Sequence, residues 1–244
     1  MGKLITITGR DGAGKSTVLS NLACLIAKEH KTVGCMSTDL RYPSLPYFFQ
    51  GVSITREKSQ GMLFTHAHPA SMFVEAKQKG VFVTAIAPDE SCLEYEPPEK
   101  EEQRILLQRL QLAFDVLLVE AANVQLNLFS ALAVRNADIL INVVNTTVQG
   151  VAWEKTYTQL LEELSPAKRA VRVINADRGD WSMETVTRHF GNTMITLPYL
   201  EAVRLSEDTG IPFCLEVPAS RQERRYIQQM ERLCQYIQEE GEAE

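Results

Sequence analysis

The residues whose types and spacing best suit chemistry stand in one uninterrupted run near the start of the chain: Gly9, Arg10, Asp11, Gly12, Ala13, Gly14, Lys15, Ser16 and Thr17. They fit the pattern G-x-x-x-x-G-K-[ST], with a short β-branched run before them and a helical pattern after them. In that setting the glycines let successive backbone N–H groups converge on phosphate oxygens, and the helix N-terminus adds partial positive charge. Lys15 reaches the outer phosphates and the Ser16 hydroxyl is a Mg²⁺ ligand. A glycine-rich turn that binds nothing is the competing reading, and the coincidence of strand, loop, Lys-Ser pair and helix argues against it.

Three more polar residues follow apolar runs. Asp39 lies beyond residues 32–36, Glu120 closes residues 116–119, and Asn175 follows residues 171–174. A carboxylate just outside the C-terminal edge of a strand beside a phosphate loop lies where ligands bind in open α/β sheets. Asp39 is therefore a candidate to position water or act as a base, and Glu120 has the same edge position. Both can equally be solvated strand-end acids. The Asn175 amide offers donors and an acceptor that match the N6/N7 edge of adenine, although Asn is also a common turn residue. His66 and His68 have the spacing of a metal pair, but no third ligand accompanies them and Pro69 follows, so they are read as surface loop.

The elements that must hold these residues are legible as apolar runs at 4–8, 32–36, 81–87, 116–119, 139–144, 171–174 and 194–197, separated by helical stretches such as 16–28. The runs are almost wholly apolar rather than alternating, as parallel strands covered on both faces require. The expected fold is a doubly wound, mostly parallel α/β sheet in a single domain spanning 1–244. Residues 42–69 and 88–102 read as irregular surface connections. Residues 219–237 read as a helix with Ile227, Met230, Cys234 and Ile237 on one stripe, ahead of an acidic end at Glu239, Glu240, Glu242 and Glu244. Trp153 and Tyr157, four apart on a helix, read as core or subunit packing.

Composition narrows the classes. The 244 residues are 45% hydrophobic, and 25 Lys and Arg stand against 31 Asp and Glu, for a net charge of -6. That balance disfavours a nucleic-acid binder, and the cluster Arg221, Arg224, Arg225 and Arg232 shares its helix with Glu223 and Glu231, as a solvated face does. No apolar run reaches the roughly 18 residues of a membrane span, and no leader pattern precedes the first strand. Five scattered cysteines without a C-x-x-C pair fit a reducing cytoplasm.

Across some 200 residues the chain resembles the MinD/ParA group of P-loop ATPases with a deviant phosphate loop. Arg10 stands at the place of their extra Lys. Cys35-Met36-Ser37-Thr38-Asp39 is similar to their first switch, Phe114-Asp115 through Glu120 to the strand of the second, and Ala137-Asp138-Ile139-Leu140 to the strand after it. Asn175 and the segment Leu197-Pro198-Tyr199 through Ala202-Val203, Gly210 and Pro212 stand where the group contacts adenine and follows it. The resemblance implies ATP and ADP with Mg²⁺ as ligands, an ATP-dependent homodimer, slow ATP hydrolysis and an unidentified protein partner. It assigns Lys15, Asp39 and Arg10 to catalysis, Gly9–Thr17, Asn175 and Pro198 to nucleotide, and Ser16, Asp39 and Glu120 to the metal.

The departures are Ser37 for an Asp, Glu120 for an Asp, and Ala121-Ala122-Asn123 for the group's turn. They resemble the drift of the TadZ/CpaE-like branch and keep open a scaffold that binds nucleotide without hydrolysing it. The basic C-terminal helix of MinD is missing, so membrane anchoring is not expected. Residues 11–17 are also similar to the loop of thymidylate kinases, but the Arg-Glu-Pro-Gly type element of those kinases is absent. Arg10 is left with two roles, reaching a partner's phosphates or lying back on Asp11 or Asp39.

Overall fold

Every apolar run named above forms a strand in a computed structural model of the chain, which describes residues 1–41, 44–96, 98–122, 127–164, 170–191 and 195–239. The strands are β1 (Lys3–Gly9), β2 (Val33–Ser37), β3 (Val74–Glu75), β4 (Val81–Thr84), β5 (Val116–Glu120), β6 (Ile139–Val144), β7 (Val171–Asp177) and β8 (Ile195–Pro198). They lie side by side in the order β3-β4-β2-β5-β1-β6-β7-β8. All neighbours are parallel except β3 and β4. The α-helices are α1 (Lys15–Ala27), α2 (Lys100–Ala113), α3 (Leu128–Asn136), α4 (Val148–Leu164), α5 (Met183–Phe190), α6 (Glu201–Thr209) and α7 (Arg221–Glu239). Tyr42, Pro43, Pro97, Asn123, Met194 and the acids at 240, 242 and 244 lie outside the described residues.

Alternation along the strands divides the core between two faces. Ile5, Ile7, Cys35, Leu118 and Ile141 share one apolar cluster with Leu19 and Leu22 of α1 and Met230 and Leu233 of α7. Leu4, Met36, Leu117 and Val119 share another with Leu106 and Leu110 of α2 and Leu132 of α3. Both faces are covered, which is why the strands carry no polar alternation. Trp153 and Tyr157 stack with ring centroids 4.8 Å apart beside the smaller cluster of Val134, Leu140 and Leu161.

The segments read as surface connections are corrected by the structure. Residues 44–72 form four 3₁₀ turns, Leu45–Phe48, Arg56–Lys58, Gln60–Met62 and Pro69–Met72, and insert Leu45, Phe49, Ile54 and Leu63 into the interior. Their apolar residues follow neither a helical nor a strand period, so periodicity does not register them. At the other segment α2 begins at Lys100, inside the stretch expected to be irregular. A capping box starts it, with the Glu99 N–H donating to Glu102 Oε2 at 2.9 Å. The strand expected to run to residue 87 stops at Thr84, yet Ala85 and Ala87 stay buried against Ile54. The two-residue β3 carries too short a pattern to be expected at all.

The described cysteines Cys24, Cys35, Cys214 and Cys234 are buried free thiols. Among the described residues no helix is long and apolar enough to cross a membrane.

Gly34 in β2 shows how closely the sheet is covered. A Cβ built there would lie 2.5 Å from Cδ2 of the Phe114 ring. Gly34→Ala is expected to cost about 1–3 kcal/mol through overpacking. Urea unfolding checks the value, and combining the change with Phe114→Leu should recover part of the loss.

Candidate functional site

Parallel register brings the polar residues together. Ile7 of β1 and Ser37 of β2 both stand opposite Glu120, the last residue of β5. Gly9 pairs with Val143 of β6, and Val144 pairs with Ile174, one residue before Asn175. The phosphate loop, Asp39 and Glu120 thus rise from one carboxyl edge of the sheet, the edge at which open α/β sheets take ligands, and Asn175 lies near that edge inside β7, which runs on to Asp177 instead of stopping at residue 174.

Gly9–Thr17 fold from the end of β1 into the first turn of α1. Gly14 precedes the helix with φ 90°, and no side chain caps the helix or supplies an acid to its first turn. An α-helix N-terminus left without such partners has N–H groups to offer an anion. Gly14 is required twice over, because a Cβ there would also lie 2.0 Å from Asn175 Nδ2. Lys15 is buried at the side chain and its ammonium bends into the loop, donating to Gly9 O at 3.1 Å and Arg10 O at 3.4 Å. It also reaches Asp11 Oδ1 at 3.4 Å. These are long contacts, and an ammonium so held can exchange them for phosphate oxygens.

The Ser16 hydroxyl lies 3.0 and 2.9 Å from the two Glu120 carboxylate oxygens. Glu120 is buried, and desolvation pushes its carboxyl above the ordinary value even though Lys15 and the Ser16 hydroxyl pull it down; Asp39 and Asp11 add to the rise. A hydroxyl and a desolvated carboxylate in contact form a hard oxygen donor set of the kind Mg²⁺ takes, with few protein ligands and the remainder from water and phosphate. Among the described residues no group of three His, Cys, Asp or Glu has metal-site geometry, His66 and His68 included. The His66 Nδ1 instead receives the His68 N–H at 3.2 Å.

Asp39 is two residues past β2 and accepts two bonds from one guanidinium, Arg41 Nε at 2.9 Å and Arg41 Nη2 at 2.5 Å. Partial burial opposes its ionisation, but the Arg41 hydrogen bonds and charge prevail and hold its carboxyl below the ordinary range. Arg41 Nη2 also lies 3.4 Å from Asp11 Oδ2. The cation lying back on Asp11 and Asp39 is therefore Arg41, where the sequence offered Arg10 for that role. Among the described residues no ion pair involves Arg10, and its buried Nε has no partner there. Ser37, which replaces an acid of the resembled group, accepts the Asp39 N–H at 3.2 Å.

At the opposite flank Asn175 Nδ2 donates to Ala13 O at 3.0 Å, so in this state the amide braces the loop. Pro198 closes β8 opposite Asp177, and the Arg178 guanidinium lies 4.4 Å over the Tyr199 ring just beyond it. Two contacts had no signal in the sequence beyond residue type: the Arg41 clamp, and the Thr17 hydroxyl donating to Glu207 of α6. A cavity of about 630 Å³ is lined by Thr38, Leu40, Leu63, Phe64 and Phe129 among others, with no residue of Gly9–Thr17 in its wall.

The sheet, the loop and its helix define a P-loop α/β protein, and within that class the fold is that of the MinD/ParA ATPases. The septum site-determining protein MinD of Pyrococcus horikoshii, solved with Mg-ADP, superposes with a TM-score of 0.77 at 18% identity, covering 96% of both chains. A ParA family ATPase of Chlorobium tepidum gives 0.80 at 14% identity over 96% of this chain and 100% of its own. The cytosolic Fe-S cluster assembly factor CFD1 of Yarrowia lipolytica is 41% identical over 46 residues, which is 19% of this chain and only 16% of that relative. No protein-family profile matches the chain.

The Thr17–Glu207 contact yields a pH prediction. Burial raises the Glu207 carboxyl above its ordinary value and Thr17 only partly opposes this. The folded protein then holds a proton that the unfolded chain has released, so the favourable contribution is complete below the unfolded carboxyl value of about 4.3 and is lost as pH rises through the folded one. Glu207→Gln, which keeps an acceptor for Thr17, should match wild type near pH 4 and exceed it in stability at pH 7.5. Denaturant titration at the two pH values checks this, and equal gaps at both would refute it.

Proposed function

We propose that the chain binds ATP with Mg²⁺ and uses it to switch its partner-binding state through an ATP-dependent homodimer, hydrolysing the nucleotide slowly in a cytoplasmic setting. The observation that carries the reading is the part-buried contact of Ser16 with Glu120 at the foot of an uncapped helix N-terminus, with the charges of Lys15 and Asp39 acting on Glu120. Ser16 and Glu120 would hold Mg²⁺, and Asp39, whose charge acts on Glu120, is the further candidate ligand. The ion, when bound, neutralises phosphate charge.

The chain's own residues account for the rest. Lys15 leaves the Gly9 and Arg10 carbonyls and neutralises the outer phosphates, while the loop N–H groups take the bridging oxygens. Asp39, ionised because its pKa is depressed, accepts a hydrogen bond from water and orients it for in-line attack on the terminal phosphorus. The proton follows to phosphate or to Asp39. Asn175 supports adenine over guanine once its amide turns from Ala13 to the base. One observation favours a second reading, a nucleotide-binding scaffold without turnover: both Asp39 oxygens are occupied by Arg41.

Lys15→Ala should lower ATP affinity about 100-fold or more by calorimetry while circular dichroism stays that of wild type, since each charged contact to phosphate contributes about 1.5–3 kcal/mol and Lys15 makes several. Unchanged affinity would remove the basis of the reading. Asp39→Ala should retain ATP binding and lose about 10²–10⁴ in phosphate release. Equal phosphate release in the two forms would assign the work to Glu120, and no release from either would leave the scaffold reading standing. Sedimentation with a non-hydrolysable ATP analogue reports the dimer, and a chain that stays monomeric at saturation contradicts it.

A further inference from the structure

Four charged side chains form a chain across the mouth of the loop: Lys15, Asp11, Arg41 and Asp39, alternating in sign. Lys15 Nζ and Arg41 Nη2 approach the two different oxygens of the one Asp11 carboxylate, each at 3.4 Å. Arg41 then forks onto Asp39 through Nε and Nη2, and its backbone N–H donates to Asp39 Oδ1 at 3.0 Å. The two cations thus flank a single carboxylate. One of them, Lys15, is the residue the loop motif assigns to the outer phosphates.

Sheet order says which end of a nucleotide Arg41 would meet. Asn175 and Pro198 stand on β7 and β8, on one side of β1, whereas Arg41 follows β2, on the other side beyond β5. A nucleotide with its base toward β7 and β8 brings its terminal phosphate toward β5 and β2. A diphosphate in that pose ends at Lys15, and a triphosphate extends toward Asp11 and Arg41.

We propose that Arg41 contacts the terminal phosphate of a bound nucleoside triphosphate, leaving Asp39 as it does so, and that it makes the site discriminate triphosphate from diphosphate. This rests on the nucleotide reading above and names a residue that reading does not use. A guanidinium already forked onto two carboxylate oxygens has the geometry with which it bridges two phosphate oxygens. The clamp on Asp39 is breakable, because Arg41 is 59% exposed and pairs of exposed charges are weak in water. The terminal phosphate carries more charge than a carboxylate, so the exchange runs toward phosphate. Its consequence is coupling: Asp39 is masked while the terminal phosphate is absent and is released to orient water when that phosphate arrives. Arg10, whose Nε has no partner, is not part of the exchange.

The test is displacement of N-methylanthraniloyl-ADP from the full chain with Mg²⁺ by ADP and by AMPPNP, in wild type, Arg41→Ala, Arg41→Lys and the control Arg56→Ala. Arg56 also pairs with two acids, Asp89 and Glu94, but away from the loop. Arg41→Ala should weaken AMPPNP about 10-fold, as loss of a charged hydrogen-bond pair does, and leave ADP within about 2-fold. Arg41→Lys should fall between wild type and Arg41→Ala, and Arg56→Ala should match wild type. Equal weakening of ADP and AMPPNP would make Arg41 a brace of the loop and overturn the proposal, as would no change in either ligand. A wild type that binds neither nucleotide overturns the functional reading and this proposal together, whereas normal wild-type binding with an unaltered ratio in Arg41→Ala overturns this proposal alone.

Discussion

A carboxylate withdrawn from water at the end of a central strand is the constraint around which the site is arranged. Glu120 ends β5 between β1 and β2, buried on both faces, and an anion in that position is costly unless donors and cations converge on it. Ser16 supplies the donor and Lys15 the nearest cation. Both belong to the first turn of α1, so satisfying Glu120 ties the helix N-terminus to the sheet edge. The loop before that turn must then reverse within a few residues, which accounts for Gly14 at φ 90° packed against the Asn175 amide.

Charge alternation continues outward from this centre. Lys15 touches Asp11, Asp11 touches Arg41 and Arg41 holds Asp39, so each acid at the mouth of the loop has a cation and no net charge accumulates. The β2 end is also fastened from behind. The Thr38 hydroxyl lies 2.6 Å from Ser130 Oγ, Asn127 donates to Thr38 O at 2.8 Å while capping α3, and Gln60 donates to Ser37 O at 2.9 Å. Thr38 lines the 630 Å³ cavity, so one peptide separates the acid at the loop from an apolar hollow on the α2–α3 side.

The departures from the resembled group acquire physical content here. Ser37, in the place of an acid, caps Asp39 with its hydroxyl, and one fewer carboxylate stands near a centre already crowded with Asp11, Asp39 and Glu120. Glu120 has one methylene more than Asp and meets Ser16 with both oxygens, so the longer side chain is accommodated without loss of contact. Similarity to solved MinD and ParA structures at 14–18% identity is a similarity of fold, and the reading of ATP as ligand stands on these contacts and on the loop.

By itself the sequence determined the phosphate loop, seven of the eight strands, the two-sided covering of the sheet, and Asp39 and Glu120 as polar residues at strand ends, whereas Asn175, expected just past its strand, lies inside β7. Each of these is written locally, in a motif of eight residues or an apolar run whose length and flanks set its environment. Tertiary structure alone decided what those residues touch. Arg41 rather than Arg10 neutralises Asp11 and Asp39, Asn175 reaches Ala13 across 162 positions, Glu207 meets Thr17 across 190, and residues 44–72 fold inward without any periodicity to announce it. The reason is that a chain's local pattern records which face of an element is apolar, whereas the pairing of two polar groups depends on the order and register of strands, and these are settled only when the whole sheet closes around its core.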